Sequence, residues 1–292
     1  MSKVPHPQEA EIVTLYQSGK GRGTIARLLG VNEDVVRRTI KRKGIMRGRE
    51  EGARLACTKY HVDEAFFESI DTLEKCWALG WMFSDGYNKT DVGDVRIGLN
   101  DRDEEVLIKL GDLMGNTRPL CREPKHVRST LIISRRKMSD DLAKLGCIQA
   151  KSHIVQFPST VLDTRAKTCA FLRGIVDGDG SIVTCWQNKL VPSITLTIAC
   201  ASSLFVGSLK TIFTDYWHLS GYVGHTKELP VSGIRFCGSA QNLRNMLAEI
   251  YDSPLSLARK YKQSKEAIAV LDEMIRTRYQ LKLRNFQRSG CI

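Results

Sequence analysis

The sequence lacks several features that would place it in a membrane, secreted or zinc-binding class. It contains no long apolar run, so we expect neither a transmembrane helix nor a membrane partner. Its opening, Met-Ser-Lys-Val-Pro-His-Pro, has no apolar stretch of the kind found in signal peptides. The nine cysteines include no CxxC pair and none with zinc-site spacing, which indicates free thiols. We therefore expect an intracellular protein of a reducing compartment, such as the cytoplasm, the nucleoid or an organelle matrix.

Acidic residues are also fewer than basic residues. The chain has 44 Lys and Arg residues against 32 Asp and Glu, which gives a formal net charge of +12. This excess favours a polyanionic partner, and nucleic acid is favoured over a membrane surface because no basic amphipathic anchor opens the chain. An apolar content of 42% over 292 residues supports packed cores rather than disorder. That length allows two domains, or one large domain and a small module.

Two stretches of the chain repeat one pattern. Cys76–Tyr87 reads CWALGWMFSDGY, and Cys169–Ser181 reads CAFLRGIVDGDGS. Aligned on their glycines, both give an apolar run, Gly, three bulky residues, a small residue, Asp and Gly. Their acids, Asp85 and Asp179, lie a domain's length apart, so the chain contains an internal repeat of domain size.

Each repeated stretch predicts a buried helix, since it is apolar on almost all sides. Small residues one turn apart on one face would let a second backbone approach closely, so we expect a helix–helix interface there. These residues are Gly80 and Ser84 in the first helix, and Gly174 and Gly178 in the second. The acids then fall on the last turns, and Gly86 and Gly180 suit helix C-caps. Packing of the two helices would bring Asp85 and Asp179 together at one end.

Such an arrangement of acids favours a bound cation. A carboxylate at a helix C-terminus opposes the helix dipole by roughly 0.3–1 kcal/mol, and two neighbouring carboxylates repel each other. A divalent cation relieves both effects, so the pattern predicts a metal site shared by Asp85 and Asp179. The alternative is a pair of buried helices that end in acids without a function.

Residues 1–54 predict a separate small module with a charged linker, Arg47–Arg54, at its end. Helices are expected over Gln8–Gln17, Thr24–Leu29 and Glu33–Lys43, with Asn32 as the N-cap of the last one. The pattern resembles a helix-turn-helix DNA-binding motif. Its last helix would present a basic face to phosphates, formed by Arg37, Arg38, Lys41, Arg42 and Lys43. The alternative is a three-helix interaction module with a solvated basic face.

The remainder predicts an α+β fold of two pseudo-symmetric repeats, 55–150 and 151–292, the second ending in a basic helix. Each repeat reads α-β-β-α-β-β-α with a four-stranded antiparallel sheet, and the two sheets would form a saddle. Alternation at Ile194, Leu196 and Ile198 predicts a strand with one buried face. Side chains expected on the opposite, nucleic-acid-facing side of the sheets are Arg96, Arg128, Arg135, Thr195, Thr197 and Arg235. A slip of one residue in register would exchange the two faces.

The repeated stretches resemble the signature of LAGLIDADG homing endonucleases in their single-chain form with two motifs. LRGIVDGDG, ending at Gly180, matches closely, and ALGWMFSDG, ending at Gly86, matches more loosely because Phe83 stands where the family usually has a second acid. The resemblance covers about residues 60–280 and leaves out the N-terminus. It implies a monomer with an internal pseudo-two-fold axis that cuts double-stranded DNA at a long asymmetric site and leaves short 3′ overhangs.

The resemblance also implies roles for single residues. Asp85 and Asp179 would be catalytic and hold Mg²⁺, or Mn²⁺ in its place, with help from the carbonyl groups of Ser84 and Gly178. Lys151 and Lys260 resemble the family's lysines after each repeat and would stabilise the transition state. The alternative for both lysines is an ordinary surface position. Asp177 is expected to support its helix and has no predicted catalytic role.

Three alternatives use the same fold or sequence signals. A non-cleaving DNA-binding transcriptional regulator can combine these domains, but there the helix-turn-helix follows the repeats and the motif acids are degraded. Here the order is reversed and both acids are present, which favours the enzyme. An intron RNA maturase, with intron RNA as a possible partner, stays open. An intein is disfavoured because the chain lacks a leading Cys or Ser and a terminal His-Asn.

Overall fold

The chain divides into two units, Met1–Tyr60 and His61–Ile292, which we describe separately. The structure is a computed structural model, and it describes residues 6–49, 51–52, 59–187, 191–225 and 231–288. The predicted linker Arg47–Arg54 therefore lies partly outside the described residues. No helix in the described ranges is both long enough and apolar enough to cross a lipid bilayer.

Between residues 6 and 49, the smaller unit contains three complete helices. They are α1 (Glu9–Gln17), α2 (Arg22–Leu29) and α3 (Glu33–Arg42). Gly30 ends α2 in the left-handed conformation, with φ 64°, which glycine adopts without strain. The Asn32 side chain accepts a hydrogen bond of 2.8 Å from the Asp34 amide, so Asn32 is the N-cap of α3, as predicted. The unit has its own small apolar core, formed by Ile12, Tyr16, Ile25, Val36 and Ile40.

The first repeat of the larger unit contains a four-stranded antiparallel sheet with helices on one face. Its elements are α4 (Leu73–Ser84), β1 (Gly86–Lys89), β2 (Asp94–Asn100), α5 (Glu104–Leu113), β3 (Cys121–Glu123), β4 (Arg128–Ser134) and α6 (Arg136–Lys144). The spatial strand order is β1-β2-β4-β3.

The second repeat follows the same plan. Its elements are α7 (Arg165–Asp179), β5 (Gly180–Gln187), β6 (Val191–Ala199), α8 (Ser203–Trp217), β7 (Ser220–Gly224), β8 (Gly233–Cys237), α9 (Ala240–Ile250) and the long α10 (Ala258–Arg288). The strand order β5-β6-β8-β7 is equivalent to that of the first sheet. The predicted α+β class and the pseudo-symmetric αββαββα layout are therefore confirmed.

Alternation along the strands decides which face of each sheet is buried. On β2, Val95 and Ile97 are buried whereas Arg96 is exposed. On β6, Ile194, Leu196 and Ile198 are buried, and the threonines between them are only partly covered. The buried faces of both sheets contribute to one continuous apolar core that runs through the two repeats. The other face of each sheet is left for solvent or a partner.

The helices α4 and α7 form the centre of this core. A threonine is the N-cap of each helix. The Thr72 hydroxyl accepts a hydrogen bond from the Lys75 amide, and the Thr164 hydroxyl accepts one from the Lys167 amide, each 3.2 Å long. Every residue of α4 from Cys76 to Phe83 is buried. Burial on all sides explains why the sequence of each helix is apolar around its whole circumference.

Candidate active site

The two central helices touch through glycine. A methyl group built on Gly80 would lie 2.9 Å from the Cα of Gly174, and one built on Gly174 would lie 2.9 Å from the Cα of Gly80. Both obstacles are backbone atoms, which cannot move aside as the end of a side chain could. The close approach of α4 and α7 therefore requires glycine at both positions.

One turn further on, the same contact brings the acids together. A methyl group on Gly178 would meet the Ser84 Cβ at 2.7 Å and the Asp85 Oδ2 at 2.5 Å. The Ser84 hydroxyl donates back to the carbonyls of Gly80 and Trp81, which keeps it close to its own helix. The Asp85 carboxylate thus lies against the residue that precedes Asp179.

Both acids keep exposed surface, so a ligand can reach them, although protein surrounds them on other sides. Loss of solvent around Asp179 and the nearby charge of Asp85 raise the pKa of Asp179 to about 6, against the opposing charge of Lys151. Loss of solvent also raises the pKa of Asp85, and Lys151, the Ser84 hydroxyl and Arg128 oppose that rise. Because each acid disfavours the ionisation of the other, a bound cation would stabilise the charged form of the pair.

Gly180 is the C-cap residue of α7, as predicted, whereas α4 is capped by Asp85 and Gly86 follows the cap; neither glycine adopts the left-handed conformation. Gly180 is extended, with φ −87° and ψ 161°, and Gly86 does not have a positive φ. The chain passes straight from each helix into the first strand of its sheet, which requires extended backbone at this point. Glycine is needed for space instead, because a methyl group would lie 2.5 Å from the Met82 carbonyl at Gly86 and 2.6 Å from the Val176 Cα at Gly180.

Both predicted lysines are buried, so the alternative of an ordinary surface position is wrong for each. The Lys151 ammonium group donates to the carbonyl of Gly86, and the Lys260 ammonium group donates to the carbonyl of Gly180. Each lysine therefore holds the residue that follows one acid, in equivalent places of the two repeats. They differ in electrostatics: the charge of Lys151 lowers the pKa of both acids, whereas burial and the neighbouring Arg259 lower the pKa of Lys260 itself.

Asp177 supports the fold around α7. Its carboxylate accepts hydrogen bonds from the Trp77 indole at 3.0 Å, the Tyr251 hydroxyl at 3.0 Å and the Leu257 amide at 2.9 Å. Burial raises the pKa of Asp177 to about 6, and these three donors oppose the rise. All three partners lie outside α7, so Asp177 joins α4, the end of α9 and the start of α10.

The oxygen atoms near the acids fit Mg²⁺ better than they fit a metal ion that is coordinated only by protein side chains. Within the described ranges, no group of three or more His, Cys, Asp or Glu side chains is placed to hold a metal ion. Two carboxylates are available, and the carbonyls of Ser84 and Gly178 accept no backbone hydrogen bond from outside their own helices among the described residues. Mg²⁺ binds through one or two carboxylates and completes its octahedron with waters and phosphate oxygens.

The predicted basic side chains of the first sheet are placed in three different ways. Arg96 is exposed on β2 and forms an ion pair with Asp94. Arg128 is exposed at the start of β4 and reaches across Gly98, where a methyl group would lie 2.5 Å from its Nε. Glycine within a strand was the sequence signal for this close approach. Arg135 is not on the outer face: it follows β4, is mostly covered, and pairs with Glu64 at 2.7 Å.

On the second sheet, the predicted residues lie on the outer face. Thr197 of β6 pairs in register with Arg235 of β8, which pairs with Tyr222 of β7. Arg235 and Tyr222 are exposed, and Thr197 is partly covered. Thr195 lies on the same face as Thr197, two residues earlier on β6, opposite Val183. Together with the neighbouring strands they give a polar surface with an exposed aromatic ring.

The basic residues of α3 are exposed, as the sequence predicts, but several have acidic partners. Arg42 and Lys43 both pair with Glu9 of α1, which ties the last helix to the first. Arg37 pairs with Asp34 at 3.1 Å, and Arg38 donates to the Asp34 carbonyl. Lys41 is exposed. The role of this helix in binding DNA stays a prediction.

Comparison with known proteins identifies the fold of the larger unit. No protein-family model matches the sequence, and no curated protein sequence matches it. The LAGLIDADG meganuclease I-AabMI bound to uncleaved DNA is similar in structure, with a TM-score of 0.50 and 12% identity over 69% of this chain and 91% of that one. The LAGLIDADG homing endonuclease I-GzeII in complex with its DNA target gives a TM-score of 0.48 and 14% identity over 73% and 94%. The chain has the fold of the single-chain LAGLIDADG homing endonucleases.

Proposed function

We propose that this chain is a site-specific endonuclease that hydrolyses both strands of DNA with Mg²⁺ and leaves short 3′ overhangs. The observation that carries the proposal is the meeting of two accessible carboxylates, Asp85 and Asp179, at one end of the α4–α7 pair. Each acid directly precedes the first strand of one sheet. The acids therefore stand where the two outward sheet faces begin, and those faces would bind the DNA on either side.

The residues around the acids have separate tasks in this proposal. Asp85 and Asp179, with the carbonyls of Ser84 and Gly178, would hold Mg²⁺, which supplies Lewis-acid stabilisation of charge at the phosphate. Lys151 adds positive charge beside both acids. Lys151 and Lys260 fix the backbone that follows each acid through Gly86 and Gly180. Water attacks phosphorus, the bond to the 3′ oxygen breaks, and the products are a 3′ hydroxyl and a 5′ phosphate.

The first experiment recovers the target and tests the acids together. The full chain is incubated with a randomised duplex library and Mg²⁺, and cut ends are captured by adaptor ligation and sequenced. We expect one asymmetric consensus with short 3′ overhangs from the wild type. Asp179→Asn should remove double-strand cutting, because it removes a ligand charge, while keeping affinity for the recovered duplex. The control Asp215→Asn changes an exposed acid of α8 and should cut like the wild type.

A thermal readout tests the cation without relying on cutting. Mg²⁺ should raise the melting temperature of the wild type more than that of Asp85→Asn, since the ion relieves repulsion between two carboxylates. Equal shifts in the two proteins would contradict a shared metal site. Binding of one consensus without any cutting by the wild type would favour the regulator instead. Cutting by Asp179→Asn at the wild-type rate would remove the assignment of that acid.

A further inference from the structure

The guanidinium group of Arg128 is held in an unusual place on the first sheet. It lies directly over Gly98 of β2, where a methyl group would be 2.5 Å from its Nε and 2.8 Å from its Cζ. Arg128 stands opposite Asn100 in the β2–β4 register, so the side chain crosses to the neighbouring strand on the outer face. Any side chain at position 98 would displace it.

Among the described residues Arg128 has no ion-pair partner, in contrast to three other arginines of this repeat. Arg96 pairs with Asp94, Arg122 with Glu104 and Arg135 with Glu64. Within the described ranges, Arg128 forms no ion pair, although Glu123 is its neighbour in register on β3. An exposed guanidinium with no internal partner keeps all its donors for a ligand, and its planar fork suits a phosphate.

The position of Gly98 places this charge beside one of the two acids. Gly98 follows Ile97, and Ile97 pairs in register with Gly86, the residue after Asp85. Adjacent strands lie about 4.8 Å apart, so the guanidinium is close to the end of α4.

In the described part of the Asp179 half, no arginine stands at the position that matches Arg128. Its corresponding strand pair is Ala199 with Gly233, and the position that matches Arg128, two residues before Gly233, is the buried Val231. A cavity opens beside Asp179, and Ala199, Ala201 and Ser232 line it. Lys151 is the only cation among the described residues that line this cavity. The two halves thus offer their acids different surroundings.

We propose that Arg128, seated on Gly98, binds the phosphate of the DNA strand that lies at Asp85, so that the two strands are cut by unequal machinery. This inference rests on the proposed function. The strand at Asp85 would have an arginine fork in addition to the shared lysine and acids. The strand at Asp179 would have Lys151 and the acids without an arginine fork.

The test follows each strand of the recovered duplex separately, with a different 5′ label on each. Arg128→Ala should slow the cutting of one strand about 100-fold, the lower end of the range for loss of one charge-stabilising donor, and nicked duplex should accumulate. The other strand should keep its rate within about threefold. Arg128→Lys, which keeps the charge but not the fork, should be intermediate.

Gly98→Ala changes the position of the Arg128 guanidinium without removing it. The methyl group pushes away only the end of a flexible side chain, so the fold is kept while the fork moves. We expect Gly98→Ala to slow the same strand, and to have no further effect in the Arg128→Ala background. Arg96→Ala removes a paired arginine from the same face, and any effect should be shared by both strands.

Two results would overturn the inference. One is an Arg128→Ala variant, folded by its melting temperature, that slows both strands equally or neither. The other is a Gly98→Ala effect that persists in full without Arg128, which would assign the effect to the backbone. Failure of the wild type to cut either strand would instead refute the proposed endonuclease function.

Discussion

Asp177 and Phe83 occupy equivalent positions of the two central helices, three residues after Gly174 and Gly80. At Asp177 the contact between the helices is a hydrogen bond from Trp77. At Phe83 it is an edge-to-face contact with Phe171, with ring centroids 5.3 Å apart. One side of the pseudo-dyad is therefore held by a polar network and the other by aromatic packing.

The hydrogen bonds of Asp177 predict different stabilities for two substitutions, because an amide can replace the carboxylate in these bonds and an alkyl group cannot. In Asp177→Asn, the amide oxygen can still accept from Trp77 and Leu257, and the amide nitrogen can donate to the Tyr251 oxygen. We expect a change below about 1 kcal/mol in the free energy of unfolding. Asp177→Leu leaves three buried donors without acceptors, at about 1–3 kcal/mol each, and should cost about 3 kcal/mol or more in total.

Urea unfolding followed by tryptophan fluorescence measures this difference. All four tryptophans belong to the larger unit, so the signal does not report on the helices of the smaller one. Equal losses in Asp177→Asn and Asp177→Leu would show that the hydrogen bonds do not stabilise this side of the dyad.

The sequence predicted the contacts of some residues but not of others. The pairing of Asp85 with Asp179 could be predicted because the repeat and the small-residue spacing are local patterns. The partners of Asp177 could not, since Tyr251 and Leu257 lie far along the chain. Arg135 was placed wrongly on the outer face because its partner, Glu64, belongs to a segment before the first helix of the repeat. Alternation along a strand says nothing about such partners.

At the scale of the elements, the contact of α4 with α7 sets a limit on side-chain size. Gly80→Ala would drive a methyl group into the backbone of α7, so the helices must separate or shift. We expect a loss of at least about 2 kcal/mol, comparable to that of overpacked cores. Gly111 of α5 is a matched control, because a methyl group there would meet only the Leu131 side chain at 3.7 Å.

Gly111→Ala should therefore stabilise the protein rather than destabilise it. It fills ordinary space and replaces glycine within a helix, which favours folding by about 0.5–1 kcal/mol. The same fluorescence-monitored urea titration measures both variants. A Gly80→Ala protein as stable as Gly111→Ala would contradict the close helix contact.

Element types were easier to predict than element ends. The apolar period of 3.6 in the sequence predicts a helix over Ser203–Trp217, and α8 has these bounds. By contrast, the sequence predicts a strand that begins at Tyr222, whereas β7 begins at Ser220, because Ser220 pairs in register with Cys237 of the next strand. The first turn after β2 is capped by Asn100, whose side chain accepts from the Arg102 amide.

For the whole molecule, pseudo-symmetry explains both what was predictable and what was not. Two equal repeats with one shared core follow from the doubled motif, and the matching strand orders agree with it. The differences between the repeats do not follow from it. Arg128 is matched by the apolar Val231, and the charge of Lys151 lowers the pKa of both acids, whereas Lys260 contacts the Gly180 carbonyl beside only one of them. Those differences suit a protein whose proposed target is asymmetric.

The smaller unit supplies the last prediction, which concerns DNA affinity in the full chain. Arg38 and Lys41 are exposed on α3 and form no ion pair among the described residues, so they are the side chains most available to phosphates. Replacing both with alanine should weaken binding of the recovered duplex and make the dependence of log K on log salt shallower by about 1–2, near 0.9 per phosphate contact. A control with the same charge change, Lys144→Ala with Arg276→Ala, alters exposed cations of α6 and α10 that already pair with acids. If both double variants show the wild-type salt slope, α3 does not contact the DNA backbone, and the smaller unit is an interaction module of another kind.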